Sequence, residues 1–276
     1  MKRVFLVLCC FLYLLACRDQ ASANQPLPVE INPKIINATT FDSGIKTIHV
    51  FVALCDNKYQ GILPVPAKIG NGQDLNNNLY WGCSGGVRSY FKNSNDWVLL
   101  KRYFVDSIRL ERIVFKNKSE NCYIVADAYD GRYIKKCTVD FLRSASGEQK
   151  DTIQINGKVL GINGNSKALA YIGHDGLMDF VLNEKFINTD GKTRDVFILA
   201  CISKRFFGQY LMDTKANPLI WTTGLMAPEA YTLHDALEGY VKNESPEKIR
   251  IRAAKAYAKY QNCGEKAAKN LLVSGY

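Results

Sequence analysis

Short, unbroken apolar runs rich in β-branched residues alternate along this chain with longer segments of helical period, and that alternation limits its folds more than any other feature. Thr47 to Leu54 reads Thr-Ile-His-Val-Phe-Val-Ala-Leu. Ala168 to Gly173, Asp195 to Ala200 and Pro218 to Thr222 are of the same kind. A strand apolar at nearly every position is covered on both faces, because a strand with one wet face alternates polar and apolar residues. Helical patterns fall at Asn78 to Lys92, Gly131 to Ser144, Phe206 to Asp213, Pro228 to Lys242 and Glu247 to Gln261. Pro228-Glu229 and Ser245-Pro246-Glu247 suit the first turns of the last two. The combination predicts an α/β fold: a mostly parallel sheet flanked by helices on both faces.

Two segments interrupt the alternation. Trp97 to Phe115 and Thr152 to Leu160 read as hairpin material, and Asn156-Gly157 between Ile155 and Val159 is a strong tight-turn signal, so an antiparallel accessory hairpin is expected. Cys122 to Asp127 fits either a strand or the start of a helix.

The amino terminus is of another kind. Lys2 and Arg3 precede an apolar run from Val4 to Ala16 that is too short to span a bilayer comfortably. The run ends in Leu14-Leu15-Ala16-Cys17, which resembles the lipobox of bacterial lipoproteins. That resemblance implies a signal peptide over residues 1–16, lipid attachment at Cys17 and a membrane anchor made of acyl chains; an ordinary cleaved signal or an uncleaved anchor are the alternatives. Arg18 stands where an aspartate would be the usual inner-membrane retention signal, so the resemblance points to the cell envelope and favours the outer membrane. Residues 17–40 are rich in Asn, Gln, Ala, Ser and Pro and read as a flexible lipidated tether. Residues 41–276 are then one domain, long enough to bury a full core.

Composition excludes several functions. The formal charge of +10 falls by two when Lys2 and Arg3 leave, and the rest is spread along the chain without basic stripes interleaved with aromatic residues. No nucleic-acid partner is expected. Arg250, Arg252, Lys255 and Lys259 read as a solvated face. Beyond the anchor the cysteines are Cys55, Cys83, Cys122, Cys137, Cys201 and Cys263; none forms a Cys-x-x-Cys pair, and there are only three histidines, which argues against zinc. No metal and no cofactor is expected. Gly70-Asn71-Gly72 is no phosphate cradle, since no lysine and hydroxyl residue follow in P-loop order. Disulfides and buried free thiols both remain open.

The strand ends carry the chemistry, because ligands of α/β sheets bind at the carboxyl ends of the strands. Ala168 to Gly173 runs straight into His174-Asp175-Gly176, and Asp195 to Ala200 runs straight into Cys201. If the two strands are parallel neighbours, an imidazole and a thiol emerge on one edge, which is what a cysteine nucleophile needs. The N–H groups of Gly176 and Cys201 are candidates for an oxyanion hole. The other histidines fit this role less well: His49 lies within a strand and packs, and His234 lies mid-helix.

An apolar strand ending in His-Gly, followed some tens of residues later by an apolar strand ending in Ala-Cys, is the hallmark of the caspase-fold cysteine peptidases, which include caspases, legumains, gingipains and clostripains. Ala200-Cys201 resembles the second block of that family, and His174-Asp175-Gly176 resembles the first with its glycine one place later. The resemblance implies a caspase-like α/β domain that hydrolyses peptide bonds through a His174–Cys201 dyad, with Gly176 as oxyanion donor and a peptide or protein as substrate. In that family the loop after the first strand shapes the specificity pocket, which makes Asp56 the candidate to select Lys or Arg; the same aspartate also fits a turn. Leu225 to Glu229 is a further turn at the same edge of the sheet. The rival function is a catalytically inactive lipoprotein of the same fold whose cleft binds a peptide or an envelope component.

Overall fold

The structure is a computed structural model and describes residues 40–276. Cys17, the signal segment and nearly all of the tether lie outside the described residues. The elements run β1 (Lys46–Ala53), α1 (Val87–Lys92), β2 (Trp97–Tyr103), β3 (Arg109–Asn117), β4 (Cys122–Tyr129), α2 (Ile134–Ser146), β5 (Lys150–Ile155), β6 (Lys158–Asn163), β7 (Ala168–Gly173), β8 (Asp195–Leu199), α3 (Ser203–Leu211), β9 (Asn217–Thr222), α4 (Ala230–Val241), α5 (Pro246–Gln261), α6 (Glu265–Leu271) and β10 (Leu272–Val273).

Eight strands form one sheet in the order β10-β9-β8-β7-β1-β4-β3-β2, and β5 and β6 form a separate antiparallel pair. The five strands β4, β1, β7, β8 and β9 are mutually parallel, while β2, β3 and β10 pair antiparallel at the two flanks. The protein is therefore the mixed α/β fold expected, a mostly parallel sheet with helices and a small antiparallel hairpin. Successive side chains of the central strands pass to opposite faces. Ile48, Val50 and Val52 of β1, with Ala170 and Ile172 of β7, pack among residues of α1, α4 and α5. Phe51 and Ala53, with Leu169, Tyr171, Val196 and Ile198, pack with Phe141 of α2 and Phe207 of α3.

The undecided Cys122 stretch is a strand, β4, buried along its whole length. The hairpin β2–β3 joins the main sheet beside β4, whereas β5–β6 stands apart and turns at Asn156-Gly157 with positive φ at both residues, as a primed two-residue turn requires. The segment expected to be helical from Asn78 is helical only from Val87. Asn78 spends its side chain on the loop: it accepts from the Cys55 N–H and donates to the carbonyls of Cys55 and Asn71. Helix α3 begins at Ser203, three residues before the expected Phe206, and α6 and β10 were not foreseen.

Candidate active site

Counting only the parallel strands in chain order, the sheet runs 2-1-3-4-5, a doubly wound order whose direction of progression reverses between β1 and β7. The crevice beyond the carboxyl ends of strands at such a point is where these sheets bind ligands. His174 follows β7 there, and Cys201 follows β8 next to it. The register fixes their relation: Ile172 is paired with Leu199, and two residues further along each strand stand His174 and Cys201. Parallel neighbours lie about 4.8 Å apart, so the backbones bearing the imidazole and the thiol leave the sheet as neighbours.

Each backbone is constrained as it leaves. Gly173 has φ +142°, and a Cβ there would lie 2.6 Å from the Ala53 carbonyl oxygen, so only glycine lets β7 turn out against β1 at this level. Ile202, immediately after Cys201, is left-handed at φ +50°, a costly conformation for a β-branched residue. The strand–turn–helix bearing Cys201 is thus a tight, strained turn. A buried latch holds it closed: the Thr222 hydroxyl donates to the Ala200 carbonyl and accepts from the Ser203 N–H, while Ser203 Oγ donates to the Ile198 carbonyl and accepts from the Thr222 N–H.

His174 is almost wholly buried, and its Nε2 is 2.8 Å from Asp179 Oδ2. That carboxylate oxygen also accepts the Gly61 N–H at 2.9 Å, tying the loop after β1 to the loop after β7. A carboxylate on Nε2 selects the tautomer with the proton there and leaves Nδ1 as the basic nitrogen. Asp179 was not singled out in the sequence; its place five residues after His174 belongs to no period.

Cys201 is partly exposed, and its sulfur is held by one residue of the facing loop: the Met226 N–H donates to Sγ at 3.4 Å, and Sγ donates to the Met226 carbonyl at 3.5 Å. The turn Leu225 to Glu229 therefore lines the site, as its position in the sequence suggested. Burial pushes the Cys201 thiol up; the Met226 N–H opposes this, and the charge of Asp175 adds to it. Among the described residues no hydrogen bond joins His174 to Cys201. The Tyr80 phenol, itself raised by burial, is coupled electrostatically to both Cys55 and Cys201.

Asp175 is fully buried, with Oδ1 capping the short turn at Leu177 N and Oδ2 without a hydrogen-bond partner. Burial, reinforced by the nearby Asp179 charge, pushes its carboxyl up to about 7. The Gly176 N–H, the candidate oxyanion donor, addresses the Tyr171 hydroxyl, and a Cβ at this position would meet Phe180 and Ile134. The Ile202 N–H is taken by the Gly224 carbonyl. The N–H groups of Asp175 and Cys201 are then the ones that directly follow the ends of β7 and β8 nearest the thiol.

Asp56 is buried under its own loop, where four donors surround it: Lys58 N and Tyr59 N on Oδ1, Gly72 N and Gln73 Nε2 on Oδ2. In this arrangement it organises the loop after β1 and has no oxygen left over. Cys55, Cys122, Cys137, Cys201 and Cys263 are free thiols; Cys55, Cys122 and Cys137 are buried, and Cys263 is exposed. His49 packs as expected, between Asp127 Oδ2 at 3.2 Å and the Asn163 N–H at 3.0 Å. A groove of about 440 Å³ opens at the opposite, amino edge of the sheet, lined by Lys46, Lys167, Asp195 and Tyr240, with neither cysteine nor histidine in its lining.

Comparisons with protein-family models, with curated proteins and with solved structures found no match. Among the described residues no helix is long and apolar enough to cross a membrane.

Proposed function

We propose that this protein is an envelope cysteine peptidase of the caspase-fold kind, anchored by lipid at Cys17, with Cys201 as nucleophile and His174 as base. The observation that supports this reading is the Ile172–Leu199 register, which brings the two chain positions to one edge of the sheet at one level. Asp179 supports it by orienting the imidazole.

In the reaction, His174 Nδ1 takes the Cys201 proton as the sulfur attacks the carbonyl carbon of a peptide bond. The oxyanion accepts from the N–H groups of Cys201 and Asp175. Position 175 directly follows the histidine, so its backbone takes the part that the family resemblance gave to Gly176. The imidazolium returns its proton to the departing amine, the C–N bond breaks, and water hydrolyses the thioester with His174 again as base. Because the resting thiol is raised rather than lowered, it is deprotonated in the encounter with substrate and is not stored as a thiolate. Loops leaving this edge carry exposed apolar side chains, Tyr59, Leu63, Met178, Val181 and Leu225, that suit an extended peptide.

The test is hydrolysis of a fluorogenic peptide library by the purified protein. The expected result is cleavage of a subset of sequences, abolished by Cys201→Ala, with membrane release on Cys17→Ser. The raised thiol and the missing His174–Cys201 bond favour a second reading, a lipoprotein that binds a peptide in the same cleft without cutting it. That reading gains if Cys201→Ala leaves peptide binding intact and no peptide in the library is cut.

A further inference from the structure

On the face of the sheet covered by α4, a second cluster of side chains has no part in the chemistry above. His234 and Glu238 are one helical turn apart on α4, and Asp96 reaches them from the loop before β2. One ring nitrogen of His234 and one carboxylate oxygen each from Asp96 and Glu238 all lie within 4.8 Å of one another, and His234 Nε2 is 3.7 Å from Asp96 Oδ2. The spacing i, i+4 puts both helical residues on one face, a geometry that holds two ligands rigidly on a single ion.

Four observations go beyond proximity. First, the buried His234 ring has its Nδ1 2.9 Å from Asp235 Oδ1. A carboxylate there keeps the proton on Nδ1 and turns the Nε2 lone pair towards Asp96 and Ser94, the outer-shell arrangement that metal-bound imidazoles use. Second, Glu238 Oε1 is fully buried and has no hydrogen-bond partner. The indole N–H of Trp97 stands beside this carboxyl, short of ideal hydrogen-bond geometry, and offsets part of the cost of its burial, while Lys242 reaches only its other oxygen, at 3.8 Å. Third, the ring of His234 is packed edge-on against Tyr90 and tilted on Phe91, so the ligand is fixed before any ion arrives. Fourth, the cluster opens into a concavity of about 360 Å³ lined by Ser94, Asp96, His234, Tyr90 and Tyr260, which gives an ion entry and room for water.

We propose that Asp96, His234 and Glu238 form a binding site for one divalent transition metal ion of the zinc class. A nitrogen ligand disfavours calcium and magnesium, which take oxygen ligands, and one imidazole with two carboxylates suits zinc or cobalt. A tetrahedral ion about 2.1 Å from each ligand needs ligand atoms about 3.4 Å apart. Asp96 is exposed on its loop and supplies the inward movement, while its backbone stays anchored through the Lys118 N–H and Ser94 Oγ. The bound ion would tie α4 to the start of β2 and leave a coordination position facing the concavity. The low histidine count and the absence of Cys-x-x-Cys hid this site from the sequence, because it is assembled from a helix and a distant loop.

The test is titration of the purified, chelator-treated full chain with Co(II), read by visible absorption and calorimetry. The expected result is one equivalent bound, with d–d bands, without a thiolate-to-metal charge-transfer band, and displaced by Zn(II). Asp96→Asn and Glu238→Gln should each weaken binding at least about tenfold. Asp96 is exposed, so its variant keeps the fold and separates loss of a ligand from loss of structure. No binding, a thiolate charge-transfer spectrum, or affinity unchanged in both variants would overturn the proposal.

Discussion

The Asp175 carboxyl is buried near Cys201 with one oxygen unpartnered, and burial with the Asp179 charge lifts it to about 7 from an ordinary 3.8. Folding therefore favours its protonated form. Its contribution to stability is fully present below about pH 4 and is lost as the pH rises to about 7. Asp175→Asn keeps the acceptor for the Leu177 N–H and removes the charge. It should stabilise the protein above pH 7 by up to the order of 4 kcal/mol and leave it unchanged near pH 4, as measured by urea unfolding at both pH values. The same substitution removes a like charge from beside Cys201, so alkylation of that thiol at neutral pH should speed up.

At the scale of elements, the site depends on how β7 and β8 end. Gly173→Ala places a Cβ 2.6 Å from the Ala53 carbonyl at a φ that L-residues rarely adopt. It should cost about 1–3 kcal/mol in urea unfolding and, by displacing His174, lower peptide turnover further than the stability loss explains. These strand ends were legible in the sequence because buried parallel strands are continuous apolar runs, and each run stopped at its polar residue, His174 or Cys201. The remainder of the site was not legible. Thr222 and Ser203 latch the Cys201 turn across two chain segments, Asp179 reaches His174 through a loop, and Ile202 carries its strain in a dihedral angle. No local period encodes such contacts. The helix expected from Asn78 failed for a related reason: the amide of Asn78 bonds the loop after β1, a competition between side chain and backbone that apolar spacing does not register.

For the whole molecule, the antiparallel flank, the parallel core and the β5–β6 hairpin meet at one buried network. Arg112 of β3 holds Asp127 of β4 through two hydrogen bonds, Asp127 contacts His49 of β1, and His49 accepts the Asn163 N–H from β6. Burial alone would raise the Asp127 carboxyl, but the Arg112 charge and the His49 contact outweigh it and hold it below the usual range; burial also lowers His49. Folding thus favours charged Asp127 and neutral His49. Both terms are present at neutral pH and are lost on acidification, the His49 term below about pH 6.5 and the Asp127 term below about pH 4. In the Asp175→Asn background, where the opposing contribution is absent, the thermal midpoint should fall steadily over that range. Asp127→Asn leaves Arg112 buried without its counter-charge and should cost about 3–5 kcal/mol by urea unfolding at neutral pH. The sequence placed His49 in the core, but its hydrogen-bond partners come from two strands distant in the chain and needed the fold to be seen.

The central claim is that Cys201 is a nucleophile served by His174. It is tested most directly by mass mapping of thiols after exposure to a pool of peptidyl acyloxymethyl ketones, across pH, in the native chain and in His174→Ala and Asp179→Asn. The expected result is labelling confined to Cys201, lost in His174→Ala, and at least about tenfold slower with a shifted pH profile in Asp179→Asn. Labelling of Cys201 that is indifferent to His174, or no faster than that of exposed Cys263, would contradict it.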